Sequence, residues 1–312
     1  MKKKIRCVIV GLGNIGLKYD LKNKNIHTHA KSISFLERFI LIGGIDKKKD
    51  NLRIFEKKYK SSIYKNFKLG LKSSKPDLIV ISSPTKLRFN HISKVLRYSN
   101  PKIIIIEKPI ADNLNNAKKI VNICNKKKVK VFINLYRYSQ QSTYELKRKI
   151  FQANKKNEII KCIINYNKGY FHNFSHFFNL CIILFGEFEY LKKLYFKKKI
   201  SDNDYLIKAK LKFKKCLVDI VPNNIIKSCN LKIKTKDLYI KYLNDGNNIS
   251  LIKKVNDKNK QTKIVKLKNR LEKYQLNVYK ELEKFLDNKK FKLYDINQAY
   301  KDLEIMNSII GK

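Results

Sequence analysis

Residues 5–16 read IRCVIVGLGNIG, an apolar run that meets three glycines in the spacing GxGxxG. A near-continuous apolar run is what a parallel strand buried on both faces requires. The glycines behind it have separate tasks. Gly11 permits the tight turn, Gly13 lets the backbone approach a pyrophosphate, and Gly16 lets a helix sit close to the sheet with its N-terminus facing the phosphates. Asn14 and Ile15, between them, count with the cofactor-binding residues. A GxGxxG is weak alone and much more specific directly behind a buried strand inside a βαβ unit.

The same reading extends along the chain. FILIGGI (39–45), DLIVIS (77–82), KIIIIE (102–107) and VKVFIN (129–134) repeat the buried-strand pattern. Lysine-rich helical segments separate them, such as DNLNNAKKIVNICNKK (112–127), with Asp112 or Asn113 as its cap. Repeated βα alternation predicts a doubly wound parallel sheet over residues 1–137. From about residue 155 the character changes. A helix predicted over 173–185 leads into alternating strands such as YLIKAKLKFKK (205–215) and NLKIKTKDLYI (230–240), separated by Asn/Asp/Gly turns. Residues 138–312 therefore read as a second α/β domain with an open, mainly antiparallel sheet. Helices over 272–287 and 296–310 close the chain, the last able to pack back on the first domain.

A length of 312 residues suits two domains, and 43% hydrophobic content suits a folded protein. The net charge of +46 points first to nucleic acid, but the excess is nearly all lysine and is scattered in twos and threes over the whole chain. A recognition surface would concentrate arginine and stacking aromatics, so no specific nucleic-acid partner is expected. The longest apolar stretches, such as Phe177–Phe185, fall short of the ~20 residues of a membrane span. MKKKIRCVIV runs into a glycine turn where a secretory leader would have a cleavage site. Six cysteines without CxxC spacing read as reduced, buried thiols of a cytoplasmic protein.

The second strand ends in GGID, placing Asp46 where a carboxylate accepts from the adenosine ribose hydroxyls and repels a 2′-phosphate. NAD is the expected cofactor and NADP the lesser one, although Lys47–Lys49 offer cations to a phosphate. The interval from Gly16 to Asp46 exceeds the usual ~20 residues, so LKYDLKNKNIHTHAK (17–31) forms an insertion with His27 and His29 as loop residues near the mouth of the site. Glu107, Lys108 and Pro109 stand at the carboxyl end of a buried strand, the edge where such sheets bind ligands. In YNKGYFHNFSHFFN (166–179), His172 and His176 are four apart, a spacing open to metal binding, proton chemistry or packing. A metal would need a third ligand, and no adjoining Glu, Cys or Asp pattern provides one, so none is expected.

The set of GxGxxG, Asp46, EKP and a later glycine followed by a helix bearing histidine resembles the Gfo/Idh/MocA oxidoreductases over nearly the full length. THAK (28–31), SSPT (82–85), INLYR (133–137), HNFSHFFN (172–179) and FGE (185–187) are most similar to members from bacterial surface-polysaccharide gene clusters. The resemblance implies a Rossmann domain and an open-sheet domain that mediates a homodimer or homotetramer. It also implies reversible hydride transfer between a nicotinamide and a hydroxyl carbon of a sugar, a nucleotide-activated sugar included. Lys108 would hold the reacting hydroxyl and His176 would relay its proton, while Ser83, Pro84, Thr85, Arg88, Glu107, Lys108 and Pro109 would line the cofactor. His172, Asn173, Asn179, Tyr136 and Tyr166 would face the sugar. Arg137 would bind a carboxylate or phosphate of the substrate, or form a structural salt bridge. Four positions depart from the family pattern: His172 and Asn179 replace common aspartates, Phe174 replaces a glycine, and Arg88 stands where a histidine is usual. Asn179 and Phe174 motivate an alternative, a catalytically weak nucleotide-binding sensor or scaffold of the same fold.

Overall fold

The computed structural model of the protein describes residues 3–154, 158–223, 225–253, 263–269 and 271–311. Two compact units form: Met1–Ser139 with Glu272–Glu304, and Gln140–Leu271 with Ile305–Lys312. No single cut divides the chain, because residues 272–304 rejoin the first unit.

In the first unit, β1 (Ile5–Val10), β2 (Phe39–Ile45), β3 (Ser62–Tyr64), β4 (Leu78–Ile81), β5 (Ile103–Ile106) and β6 (Lys130–Ile133) lie in the order β6-β5-β4-β1-β2-β3, all parallel. Helices α1 (His29–Phe35), α2 (Lys49–Tyr59), α3 (Phe67–Ser74), α4 (Arg88–Tyr98) and α5 (Leu114–Lys126) connect them. Alternation along the strands shows why they read as unbroken apolar runs. Val8, Ile79, Ile81, Ile104 and Ile106 feed one core, and Cys7, Ile9, Val80, Ile103 and Ile105 feed the other, so each strand must be apolar on both faces. Asn113 caps α5 by accepting from the Asn116 amide at 2.8 Å.

The insertion departs from expectation at both ends. Only a single wide turn, Asn14–Lys18, follows Gly11 and Gly13 and contains Gly16, with the Leu17 and Lys18 amides both donating to the Gly13 carbonyl. A turn this short carries little of a helix dipole. The buried Asp20 carboxylate then accepts from the His27 amide, the Thr28 amide and the Thr28 hydroxyl, and so shapes the return of the chain. His29 is consequently the first residue of α1 and fully buried, not a loop residue at the mouth.

The second unit opens with α6 (Gln141–Ala153) and β7 (Ile160–Tyr166), and α7 (Ser175–Phe185) precedes the remaining strands. These are β8 (Phe188–Ser201), β9 (Asp204–Phe213), β10 (Cys216–Pro222), β11 (Asn230–Lys234), β12 (Leu238–Leu243), β13 (Asn248–Lys253) and β14 (Lys263–Leu267). Their order is β14-β13-β12-β11-β7-β10-β9-β8, antiparallel except for the β10–β7 pair. Inward residues of β7, β9, β10 and β11 pack with the aromatic face of α7. The chain ends with α8 (Tyr274–Leu286), the short β15 (Tyr294–Asp295), which pairs antiparallel with β6, and α9 (Ile296–Ile309). Among the described residues no helix is long and apolar enough to cross a membrane.

Candidate functional site

The glycine loop is built to bring backbone close to a ligand. Gly11 has φ +95°, and a Cβ there would stand 2.6 Å from the Ser83 amide nitrogen; one on Gly16 would stand 2.2 Å from the Gly11 carbonyl oxygen. Gly13 differs from both, because a Cβ on it would meet nothing within 4 Å. Ser82 Oγ donates to the Gly11 carbonyl at 2.6 Å and ties the loop to the turn after β4. Asp46 holds the same loop from the other side. Its Oδ2 accepts from the Leu12 amide at 2.7 Å and from Asn51 Nδ2 at 3.1 Å, and its Oδ1 accepts from the Lys48 amide at 2.8 Å.

Gly11, Asp46, Ser83 and Pro84 line one pocket of about 600 Å³, closed by Phe67 and His91. Ser83 Oγ and His91 Nδ1 are buried polar atoms with no hydrogen-bond partner among the described residues, the condition of groups that await a ligand or water. Burial, then the charges of Lys94 and Lys47, push His91 down to about 4, so its imidazole is neutral near pH 7. Pocket size, open space at Gly13 and two orphaned polar atoms all fit a bound dinucleotide. Asn14, Ile15 and Gly16 lie in the adjoining turn, and Thr85 opens the short turn before α4.

At the carboxyl end of β5, Lys108 is half-buried and follows four fully embedded isoleucines. Glu107 beside it is buried, and its Oε1 is 2.9 Å from His29 Nε2 and also accepts from Asn134 Nδ2. His29 Nδ1 in turn lies 2.8 Å from the Tyr279 hydroxyl and 3.2 Å from Gln275 Nε2, both on α8. Burial raises the Glu107 pKa, but hydrogen bonds from His29 and Asn134, with the His29 and Arg88 charges, more than offset it and hold the carboxyl below its ordinary value. Arg88 completes this frame. Its guanidinium donates to the carbonyls of Ser83, Glu107 and Pro109, so one buried side chain fastens both residues flanking Lys108 to the turn after β4. Burial lowers Arg88 to about 10, leaving it charged at neutral pH.

A group whose folded pKa is depressed contributes stability above its unfolded pKa, and loses it as pH falls through the folded pKa. Glu107→Gln should therefore be less stable than the parent at pH 7, with a gap that shrinks on acidification below about pH 4.3, the ordinary glutamate value. Unfolding midpoints in denaturant from pH 7 to pH 3 check this; a constant gap would show that the Glu107 charge contributes nothing.

The histidine pair stands in the second unit. Gly169 has φ +103° and begins a wide turn, Tyr170–Phe174, that leads into α7. The Asp204 carboxylate closes that turn, accepting from the amides of Phe171 at 2.8 Å and His172 at 3.0 Å; a Cβ on Gly169 would stand 2.1 Å from its Oδ2. His172 is exposed at the turn, and His176 is half-buried in the first turn of α7. Phe174 is fully buried, stacked 5.3 Å from Tyr170. Asn179 is 1% exposed, and neither of its amide atoms has a partner among the described residues. Among the described residues no group of three His, Cys, Asp or Glu gathers to hold a metal.

Two expected sugar contacts are engaged elsewhere. Tyr166 is fully buried, and its hydroxyl donates to the Ile207 carbonyl and accepts from the Ile207 amide, so it is a core residue instead. The Asn173 amide donates to Asn167 Oδ1 at 2.6 Å and is 3.1 Å from Cys229 Sγ. Tyr136 and Arg137 belong to the first unit, with the buried Arg137 guanidinium 4.7 Å over the Tyr136 ring. Lys108 likewise belongs to the first unit, and His172, His176 and Asn179 to the second.

Sequence reasoning misplaced His29 and missed His91 and Asp204. One signal was legible: a glutamate closing a fully buried strand needs buried hydrogen-bond donors, and a histidine is one side chain that can supply them. The other two partners come from distant segments and leave no local trace.

Residues 5–135 match the family model for the oxidoreductase family with NAD-binding Rossmann fold, Gfo/Idh/MocA. No curated protein matches the sequence. The chain is similar in fold to a putative NADPH-dependent oxidoreductase from Desulfitobacterium hafniense (14% identity, 99% of this chain and 95% of that one covered, TM-score 0.78). The WlbA dehydrogenase from Bordetella pertussis, in complex with NADH and UDP-GlcNAcA, gives 16% identity, coverage of 99% and 96%, and a TM-score of 0.74. A super-repressor mutant of Gal80p from Saccharomyces cerevisiae gives 15%, 98% and 95%, and 0.77. At these identities the likeness is one of fold.

Proposed function

We propose, from the premise that residues 5–135 form the NAD-binding Rossmann domain of the Gfo/Idh/MocA oxidoreductases, that the protein is a nicotinamide-dependent dehydrogenase or reductase acting on a hydroxyl carbon of a sugar. The observation that carries this reading is the frame around Lys108. Glu107 is clamped by His29 and Asn134, and Arg88 holds the carbonyls of Glu107 and Pro109, in the same unit as the glycine loop and its pocket. So much buried polar structure around one lysine is costly unless the placement of that lysine matters.

A bound nicotinamide would supply or accept the hydride. In oxidation, Lys108 donates a hydrogen bond to the substrate hydroxyl oxygen and stabilises the negative charge that develops there as the carbon loses hydride. His176 takes the hydroxyl proton, and in reduction it returns one. His172 and Asn179 serve as polar contacts for the sugar, and Arg137 for an acidic group. NAD is the cofactor we propose, with Asp46 at the ribose. The likeness to a dehydrogenase complexed with UDP-GlcNAcA supports a nucleotide-activated sugar as substrate. The protein we propose is a cytoplasmic homodimer or homotetramer. The exposed Tyr190, Tyr195, Phe196 and Ile200 of β8 support such self-association.

A sensor or scaffold of the same fold is the second reading. It is favoured by Asn179, a neutral amide where an acid would charge or orient the histidine. Screening nucleotide sugars with NAD or NADH for a change in nicotinamide absorbance separates the two. Turnover on any member of the panel supports the enzyme; cofactor binding without turnover on a broad panel supports the sensor.

A further inference from the structure

Lysines that look scattered along the chain are gathered in space by the sheet of the second unit. In β7, β9, β11 and β12 the core takes every second residue, so the residues between share the opposite face. Strand register lines these residues up in two rows that cross all eight strands. The first row holds Lys193, Lys210, Lys232, Lys241 and Lys266. The second, two residues along each strand, holds Lys161, Lys212 and Lys234. Among the described residues Asp219 is the one acid in either row, and neither row has an arginine.

Six of these lysines face one another directly across strands, as the pairs Lys193 and Lys210, Lys232 and Lys241, and Lys161 and Lys234. Like charges directly opposite destabilise a sheet. Asp219 offsets Lys210 at 3.4 Å, and Glu189 offsets Lys212 at 3.1 Å. The two pairs on β7, β11 and β12 have no such acid among the described residues. Apolar surface lies among the ammonium groups: Ile163, in the middle of the first row, is 43% exposed, and Ile264, at the β14 end of the second, is 60% exposed.

We infer that this face docks on an anionic lipid surface. Its occupant has to bring negative charge over a broad area and also accept the isoleucines. Phospholipid headgroups do both, with phosphates beside the lysines and the boundary with the acyl chains beside the isoleucines. A single-stranded nucleic acid fits less well, since the first row has neither an arginine nor an aromatic ring for a base to stack on. A second copy of the chain on this face would set lysine rows against lysine rows. The apolar side chains of β8 that support self-association stand at the edge of the sheet instead. The docking is peripheral, goes beyond the proposed reaction and does not depend on it.

The test is flotation of the full chain with vesicles of phosphatidylcholine alone and of phosphatidylcholine with about a third phosphatidylglycerol. The protein should float with the anionic vesicles only, and raised salt should release it, because exposed charges are screened. Lys161→Glu/Lys232→Glu turns two opposed like-charge pairs into attractive ones. It should keep or raise the unfolding midpoint while lowering affinity for the anionic vesicles by roughly tenfold or more. Lys161→Gln/Lys232→Gln, which only neutralises, should show a smaller loss. Lys118→Glu/Lys126→Glu, at exposed positions on α5, makes the same change in net charge and should stay within about threefold of the parent. Absence of binding to the anionic vesicles, unchanged binding in the β7/β11 variants, or an equal loss in the α5 variant would overturn the docking face. So would oligothymidylate binding tighter than vesicle binding and lost in the same variants, which would assign the face to nucleic acid. A sedimentation mass that falls in the β7/β11 variants would assign it to a second copy and overturn it too.

Discussion

Lys108→Ala should lower turnover on any active sugar nucleotide by roughly 10²-fold or more, the usual scale of one group acting on a reacting proton or oxyanion. Fold and NADH affinity should stay close to those of the parent. The frame gives a reason for this separation, because the groups that hold the turn are Glu107, His29, Asn134 and Arg88, and the Lys108 side chain is half-buried beyond them. His176→Ala should cost a similar factor and also remove a dependence of rate on pH near neutrality, since an imidazole that moves the proton must titrate to do so. If both serve one transition state, the double variant loses less than the product of the two single losses. Full activity in either single variant overturns its assignment, and strictly multiplicative losses separate the two residues into different steps.

What the sequence shows of this molecule follows from how local each cause is. Strands β1, β4 and β5 are legible because burial on both faces demands apolar residues at every position, and the sequence obeys with CVIV, LIVI and IIII. The glycine loop is legible because Gly11 and Gly16 each stand where a Cβ would meet backbone, a requirement written at single positions. His29 is not. Its role comes from Glu107, 78 residues away, and its neighbours HTHAK sit in a lysine- and asparagine-rich insertion that reads as loop. Asp204 closes the turn before α7 from 32 residues beyond His172, at the start of a strand where it looks like one more turn residue. Arg88 reads as a cofactor residue by its place after SSPT, and only the three carbonyls around its guanidinium reveal that it holds loops together. Tyr166, chosen as a polar aromatic near the histidines, is claimed by the Ile207 backbone on a neighbouring part of the sheet, a pairing that depends on register alone.

Gly13→Val should reduce affinity for NADH by roughly a hundredfold or more, equivalent to about 2.7 kcal/mol, without unfolding the protein. The argument turns on how Gly13 differs from its two partners. Gly11 has a positive φ and no space, and Gly16 has a carbonyl oxygen 2.2 Å from where its Cβ would be, so substitution at either distorts the loop itself. Any loss of binding there confuses the fold with the site. Gly13 has φ −77° and ψ −153°, extended backbone without the positive φ that reserves Gly11 for glycine, and a Cβ there would enter open space. A side chain at this position therefore obstructs whatever must approach the backbone from that open side, and a pyrophosphate is the group the glycine spacing admits. Unfolding midpoints matching the parent, together with lost NADH binding by titration, are the expected pair of results. Normal NADH binding in the folded variant would show that the space above Gly13 is not where the phosphates lie, and the loop would be a tight turn with no part in holding the cofactor.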